Sequence, residues 1–131
     1  MIAKDSRPSG TAGATAASGV AAADQLLTLP VDERPTGVFA TNDLLAMGLL
    51  QGFVTHGLRV PQDVAIIGYD DISFAASAAV PLSSIRQPRE ALGRRAAELL
   101  FDEIAAADDK TPHEHQSVRF TPELVVRRSS A

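Results

Sequence analysis

A strand, a helix and a second strand follow one another in the middle of the chain, and this pattern constrains the fold most. The apolar run "TGVFA", Thr36 to Ala40, predicts a short buried strand, and Val64 to Gly68 in "VAIIGYDD" predicts a second. Between them, "DLLAMGLLQGFVTH" predicts a helix from Asp43 to His56, capped by Asn42. Because this interval fits a parallel crossover, we expect an α/β fold with a mostly parallel sheet flanked by helices.

The segments around this unit extend the same alternation. Ser18 is the expected N-cap of a helix that Pro30 ends, "ISFAASAAV" predicts a short helix, and "LSSIRQ" predicts an extended segment. Pro88 opens a long amphipathic helix that reaches about Ala107. "SVRF" and "ELVVRR" predict two short strands, and residues 1–17 are expected to be a flexible lead-in.

Two glycines lie inside the central predicted helix. Gly48 and Gly52 each cost about 1 kcal/mol relative to alanine in a helix interior. We therefore expect them to permit the close approach of another backbone, either a strand of the same chain or a partner subunit.

Composition excludes several classes of protein. The 131 residues, 45% of them apolar, suffice for one domain or a piece of one. There is no cysteine, which excludes disulfides and thiol chemistry, and the net charge of −4 argues against a nucleic-acid interface on this chain. No apolar run approaches the roughly 18 residues that span a membrane, and the N-terminus does not resemble a secretory signal, so we expect a cytoplasmic location and no membrane.

Polar residues follow both central strands. Thr41, Asn42 and Asp43 come after the first, and Asp70 and Asp71 come after the second. Ligands bind at the carboxyl ends of strands in open α/β sheets, and amide and carboxylate groups suit the hydroxyls of a sugar or nucleoside. The same residue types are also ordinary turn formers and caps. We expect Asp70 to bind ligand and Asp71 to cap the following helix.

The sequence gives little support for metal binding, phosphate binding or catalysis. His113 and His115 lie in a polar loop, where "HEH" is a poor metal site. The sequence contains neither a glycine-rich phosphate loop nor a G-x-S-x-G serine elbow. An enzyme using Asp70 and Asp71 on a metal or phosphate is an alternative, although Lys4 and Lys110 are the only lysines. We predict no cofactor, no metal and no catalytic residue.

Four motifs occur in a characteristic order: "FATNDLLAMG", "GLRVPQDVAIIGYDD", "PLSSIRQP" and "LVVRRSS", with a long helix containing Gly93 before the last. Over roughly residues 18–130 they resemble the C-terminal part of LacI/GalR-family bacterial transcriptional regulators. The resemblance implies the C-terminal lobe of a type I periplasmic-binding-protein-like fold, in which two lobes close on a small ligand. Residues 18–131 would be a partial effector-binding domain, with helix 88–107 as its crossover helix.

The resemblance also assigns residues and partners. It implies that Asn42 and Asp70 hydrogen-bond ligand hydroxyls and that Gln87 faces the cleft where the chain crosses between lobes. The chain would be the non-catalytic, effector-sensing portion of a regulator that recognises a small polyhydroxylated molecule, a sugar or nucleoside-like compound. No helix-turn-helix precedes Ser18, so DNA would be bound only in an intact protein.

Further expectations follow from the same family. The helix starting at Asp43 and the segment after Asp71 resemble dimerisation surfaces, which predicts a homodimer. Helix 88–107 would pack on another lobe, and without it the apolar stripe of that helix would be partly uncovered. A stand-alone solute-binding module and an inactive truncated remnant are the alternatives.

Overall fold

The computed structural model describes residues 13–109 and 115–131 and divides the chain into two units. The first unit contains the described residues up to Arg86 together with Leu124–Ala131, and the second lies within Gln87–Glu123. The elements of the first unit, in chain order, are helix α1 (Ala16–Leu27), a 3-10 helix (Val31–Glu33), β1 (Gly37–Phe39), α2 (Asp43–Thr55), β2 (Ala65–Tyr69), a second 3-10 helix (Ser73–Ser77) and β3 (Ser83–Arg86). Helix α3 (Arg89–Asp109) forms most of the second unit, and β4 (Glu123–Val125) follows it.

The sheet has the order β1-β2-β3-β4, and its first three strands are parallel. Phe39 lies opposite Ile67, and Tyr69 lies opposite Ile85. The predicted α/β class with a mostly parallel sheet is confirmed, and so is the strand–helix–strand order around α2. Burial differs between the two strands: in β2, Ile66 is fully buried, whereas Phe39 in β1 is 58% exposed. The prediction of a buried strand is therefore wrong for β1, because β1 lies at the end of the described strand order and has only β2 beside it.

Helix α2 packs against both α1 and β2, and the core lies between these elements. Phe53 and Ile66 are almost completely buried there. A side chain at Gly48 would run into the Ala16 carbonyl group and the Gly19 backbone, and one at Gly52 would come within 2.5 Å of Ala23 Cβ. The close approach predicted for the two glycines is therefore found, but the neighbour is helix α1, neither a strand nor a partner subunit.

The C-terminal segment fastens β2 to β3. Ser129 is fully buried, and its hydroxyl donates to the Ile66 carbonyl at 2.6 Å while accepting from Ser83 N at 2.8 Å. Its backbone accepts from Ile66 N and donates to the Pro81 carbonyl. These bonds, here called the Ser129 clasp, satisfy backbone N–H and carbonyl groups of Ile66 in β2 and of Pro81 and Ser83 at the start of β3.

The beginning of α1 differs from the sequence prediction. The helix starts at Ala16, and its N-cap is Thr15, whose hydroxyl accepts from Ser18 N at 3.2 Å. Ser18, the predicted cap, lies inside the first turn because two alanines before it favour helix and Thr15 offers an equivalent capping oxygen. Of the predicted lead-in, residues 1–12 lie outside the described residues, and Ala16 and Ala17 already belong to α1.

Two further segments differ from their predictions. Residues 117–120, "SVRF", form no strand, and Val118 is exposed. The described part of the second unit offers this segment no strand to pair with, and an isolated short strand is not stable. "ISFAASAAV" forms the 3-10 helix Ser73–Ser77 rather than an α-helix. The long helix that was predicted from Pro88 to Ala107 is confirmed as α3.

Candidate functional site

Asn42 follows β1 and begins helix α2. Its Oδ1 accepts from Leu45 N at 2.8 Å, which is the bond of an N-cap, and its Nδ2 donates to the Ala14 carbonyl at 3.0 Å. The capping prediction is confirmed. Both polar atoms of the side chain therefore have a partner within the protein, although the amide nitrogen carries a second hydrogen beyond the one donated to Ala14.

Asp70 lies directly after β2, in a turn of unusual backbone geometry. Its φ angle is 106° and that of Asp71 is 50°, so two successive non-glycine residues adopt positive φ. Such conformations are strained and persist only where the surroundings hold them. The Asp70 N–H donates to the Ile85 carbonyl at 2.9 Å, which ties the turn to β3.

Asp43 joins the polar groups at the ends of β1 and β2. It is fully buried in the first turn of α2, and its Oδ2 accepts from Ile72 N at 2.8 Å. Its Oδ1 accepts from the Ser84 hydroxyl at 2.6 Å, and that hydroxyl accepts from Asp71 N at 3.0 Å. The sequence indicated Asp43 only as the first residue of the helix and as one of three polar residues after the first strand. Asp43 is instead the central acceptor at this edge of the sheet.

Asp71 does not cap the next helix as predicted. The 3-10 helix Ser73–Ser77 has Ile72 at its N-cap position and no side-chain cap. The Asp71 carboxylate, whose side chain is only 6% exposed, instead pairs with Arg86 and Arg127, each at 2.7 Å. Charge-assisted bonds from two guanidinium groups are stronger than a bond to a backbone N–H, which explains the difference.

The two arginines also set the protonation of Asp71. Burial by itself raises the pKa of this carboxyl group, but hydrogen bonds from Arg127 and Arg86, together with their charges, lower it further than burial raises it. The net result is an Asp71 pKa below its ordinary value of 3.8. Asp71 is therefore a fixed negative charge between β3 and the C-terminal segment.

Gln87 is the first residue of the second unit and is half-buried. Its carbonyl accepts from Arg89 N at 2.8 Å at the start of α3. In the same unit His115 pairs with Glu103 at 2.6 Å, whereas His113 lies outside the described residues. Throughout residues 13–109 and 115–131, no three histidine or acidic side chains are grouped so that they could hold a metal ion. No helix in that part of the chain is long and apolar enough to cross a bilayer.

The fold is that of an α/β domain with polar groups gathered at the carboxyl ends of its parallel strands. The chain belongs to the family described as periplasmic binding protein-like domains, whose profile matches residues 2–130. The resemblance to LacI/GalR-family regulators is confirmed as well, because the chain matches part of the effector-binding domain of such regulators.

Named relatives give this similarity its detail. The HTH-type transcriptional repressor PurR of Photobacterium profundum is 41% identical over 112 residues, which are 86% of this chain and 32% of that repressor. PurR of Mannheimia succiniciproducens is 41% identical over 101 residues, 77% of this chain and 29% of its own length. The chain thus spans about a third of the curated relatives that it matches.

Solved structures of LacI-type regulators are similar to this chain in both sequence and fold. A complex of the transcriptional regulator CelR with cellobiose is 39% identical with a TM-score of 0.76, and the match covers 88% of this chain and 34% of that one. A LacI-family regulator from Lactobacillus casei with bound glucose is 30% identical with a TM-score of 0.71, covering 88% and 40%. Each of these two neighbours holds a bound sugar.

Proposed function

We propose that this chain is the effector-sensing part of a LacI-type transcriptional regulator and binds a small polyhydroxylated molecule, a sugar or a nucleoside-like compound, without transforming it. The observation that carries the proposal is the strained turn at Asp70, which stands at the carboxyl end of a central parallel strand where α/β domains bind ligands. The glucose and cellobiose complexes of similar regulators support the ligand class.

Asp70 has the chemistry that such a ligand needs. A carboxylate accepts hydrogen bonds from two hydroxyl groups at once, and adjacent sugar hydroxyls match that geometry. Asn42 is the second proposed ligand residue, and it would donate the second hydrogen of its Nδ2 while the first remains bonded to the Ala14 carbonyl. Gln87 is the third, as the family resemblance implies. None of these roles requires a metal or an organic cofactor.

Binding can be tested by a thermal-shift screen followed by calorimetry with glucose, sucrose, cellobiose, ribose and adenosine. A ligand at 100 times its Kd stabilises the folded state by about 2.7 kcal/mol, which is well within detection. We expect a shift with at least one compound, lost in Asp70→Ala and retained in the control Asp32→Ala, which removes an exposed carboxylate from the 3-10 helix Val31–Glu33. No shift with any compound, or full binding by Asp70→Ala, would contradict the proposal.

The alternative of an enzyme that uses Asp70 and Asp71 together is less well supported. Both Asp71 oxygens are held by arginines, Oδ2 by Arg86 and Oδ1 by Arg127, so the two carboxylates do not form an open pair for a metal ion or phosphate. We therefore propose a non-catalytic protein. Proton NMR spectra of the bound sugar should remain unchanged over a long incubation with the protein, and the appearance of products would favour the enzyme.

The remaining expectations concern the whole regulator. We propose that it is cytoplasmic, that it acts as a homodimer, and that it reaches DNA through a helix-turn-helix outside this chain. The homodimer has some support here, because Leu44 and Val54 on α2 and Phe74 after Asp71 are 48%, 49% and 65% exposed on the surfaces that the family resemblance indicates. Sedimentation velocity should show a dimer that Phe74→Glu weakens. A stand-alone solute-binding module would bind sugar as a monomer, and a remnant would bind none.

A further inference from the structure

We infer that Asp43 is a positioning residue that holds the turn of residues 70–72 and thereby aims the Asp70 carboxylate at the effector. This inference rests on the proposed function, in which Asp70 binds ligand. Asp43 itself is buried and does not need to touch the effector.

Three consecutive backbone N–H groups of the turn each have a different acceptor. Asp70 N donates to the Ile85 carbonyl at 2.9 Å, Asp71 N to the Ser84 hydroxyl at 3.0 Å, and Ile72 N to Asp43 Oδ2 at 2.8 Å. Asp43 controls two of the three, because it also accepts the Ser84 hydroxyl proton and so orients that oxygen toward Asp71 N. The positive φ angles at Asp70 and Asp71 need such fixed partners, since neither residue adopts them readily on its own.

The surroundings of Asp43 are adapted to this task. A side chain at Gly68, in the middle of β2, would collide with Asp43 Oδ1, so the glycine leaves room for the carboxylate. The carboxylate also lies at the N-terminus of α2, where the helix dipole favours negative charge. Asp43, Gly68 and Ser84 therefore form one unit that joins the first turn of α2 to β2 and β3.

Two substitutions separate the positioning role from simple loss of a buried group. Asp43→Ala removes the acceptor of Ile72 N and of the Ser84 hydroxyl, which frees the turn. Asp43→Asn keeps an oxygen for Ile72 N, and its amide can donate to Ser84 Oγ, which still accepts from Asp71 N. The alanine variant should therefore disturb the turn, and the asparagine variant should restore most of it.

Phe53→Leu is the control for stability alone. It removes part of a buried aromatic side chain from the core on the same helix, ten positions and about 15 Å along the axis from Asp43, and it leaves the hydrogen-bond acceptors of the turn in place. The first measurement is native-state hydrogen exchange by NMR. We expect the Ile72 amide of Asp43→Ala to exchange roughly 10- to 100-fold faster than that of Phe53→Leu, as losing a bond to a charged acceptor implies. The Asp70 carboxyl carbon shift should move in Asp43→Ala only.

The second measurement is calorimetric binding of cellobiose, or of whichever compound of the panel binds most tightly. Asp43→Ala should bind at least about tenfold more weakly, while Asp43→Asn and Phe53→Leu stay within a few-fold of the unmodified chain. Unchanged Ile72 exchange in Asp43→Ala, or unchanged affinity despite faster exchange, would overturn the inference. If the unmodified chain binds no compound, the proposed function fails on its own, and the exchange data still decide whether Asp43 holds the turn.

Discussion

The crossing of α1 and α2 makes a prediction whose sign can be worked out from the structure. Replacing Gly48 with alanine should stabilise α2 by about 1 kcal/mol through helix propensity alone. At this position, however, the new methyl group would lie 2.8 Å from Ala16 C, closer still to the Ala16 oxygen, and 2.9 Å from Gly19 Cα. These are backbone atoms that no rotamer change can move, so α1 itself would have to shift away from α2.

Overpacking of a well-packed core costs about 1–3 kcal/mol, and a clash with backbone belongs at the upper end of that range. After subtraction of the propensity gain, we expect Gly48→Ala to lower the free energy of unfolding by about 1–2 kcal/mol. Gly93→Ala is the matched control, because a side chain at Gly93 on α3 meets nothing within 4 Å. It should stabilise α3 by up to about 1 kcal/mol.

Native-state hydrogen exchange measures both effects locally, at the amides of α2 for one variant and of α3 for the other. Urea unfolding followed by circular dichroism gives the overall change for comparison. Opposite signs for the two variants are expected. If Gly48→Ala were as stabilising as Gly93→Ala, the close backbone contact between α1 and α2 could not be real.

Substitutions at three other positions have defined outcomes. Arg127→Met leaves the buried Asp71 carboxylate paired with Arg86 alone and should lower the free energy of unfolding by about 2–3 kcal/mol. This loss is smaller than the roughly 3–5 kcal/mol expected when a buried charge keeps no partner at all. Because the folded-state pKa of Asp71 is below its ordinary 3.8, the contribution of its ion pairs is complete above that value and is lost as pH falls through the folded-state pKa. Removing Arg127 brings the folded-state pKa closer to the ordinary value, so urea titrations should show a smaller acid loss of stability in the variant, which levels off at higher pH. Asn42→Ala should lower the free energy of unfolding by about 1 kcal/mol because it removes the N-cap of α2, whereas Asn42→Ser keeps a capping oxygen. Calorimetric sugar binding that is weakened in the serine variant, at unchanged stability, would establish a ligand role for Asn42. NMR titration should place the pKa of Asp63 near 2, because the Arg59 side chain and, to a lesser extent, the Arg59 backbone N–H donate hydrogen bonds to the Asp63 carboxylate. Arg59→Ala should return the pKa of Asp63 toward 3.8, and an unchanged Asp63 pKa in that variant would rule out Arg59 as the cause.

The sequence predicted the strand–helix–strand unit well because its signals are local. The apolar runs of β1 and β2 and the Asn42 cap each depend on residues within a few positions of one another. The family motifs then added a residue that local patterns did not indicate, namely Gln87. The predicted start of α1 and the strand predicted for "SVRF" were wrong, because neither the choice between neighbouring capping residues nor the lack of a strand partner can be seen in the local sequence.

The role of Asp43 could not be read from local pattern. A carboxylate in the first turn of a helix is fully explained by the helix dipole, and its actual partners, Ile72 and Ser84, lie 29 and 41 residues away. Asp71 was misinterpreted for the same reason, since Arg127 is 56 positions distant. One signal was available: Gly68 interrupts an apolar strand, and a glycine there often indicates the close approach of another group.

The Ser129 clasp has a consequence for how the protein is made. Ile66 and Ser129 are 63 residues apart, and at a synthesis rate of about 5–20 residues per second the ribosome needs roughly 3–13 s to travel between them. Throughout that interval the backbone of β2 at Ile66 remains without its final partner, and an open strand edge is a template for pairing with another chain. Aggregation of the nascent protein through this part of β2 is therefore favoured until Ser129 has been synthesised, and a chaperone that shields β2 would act during that interval.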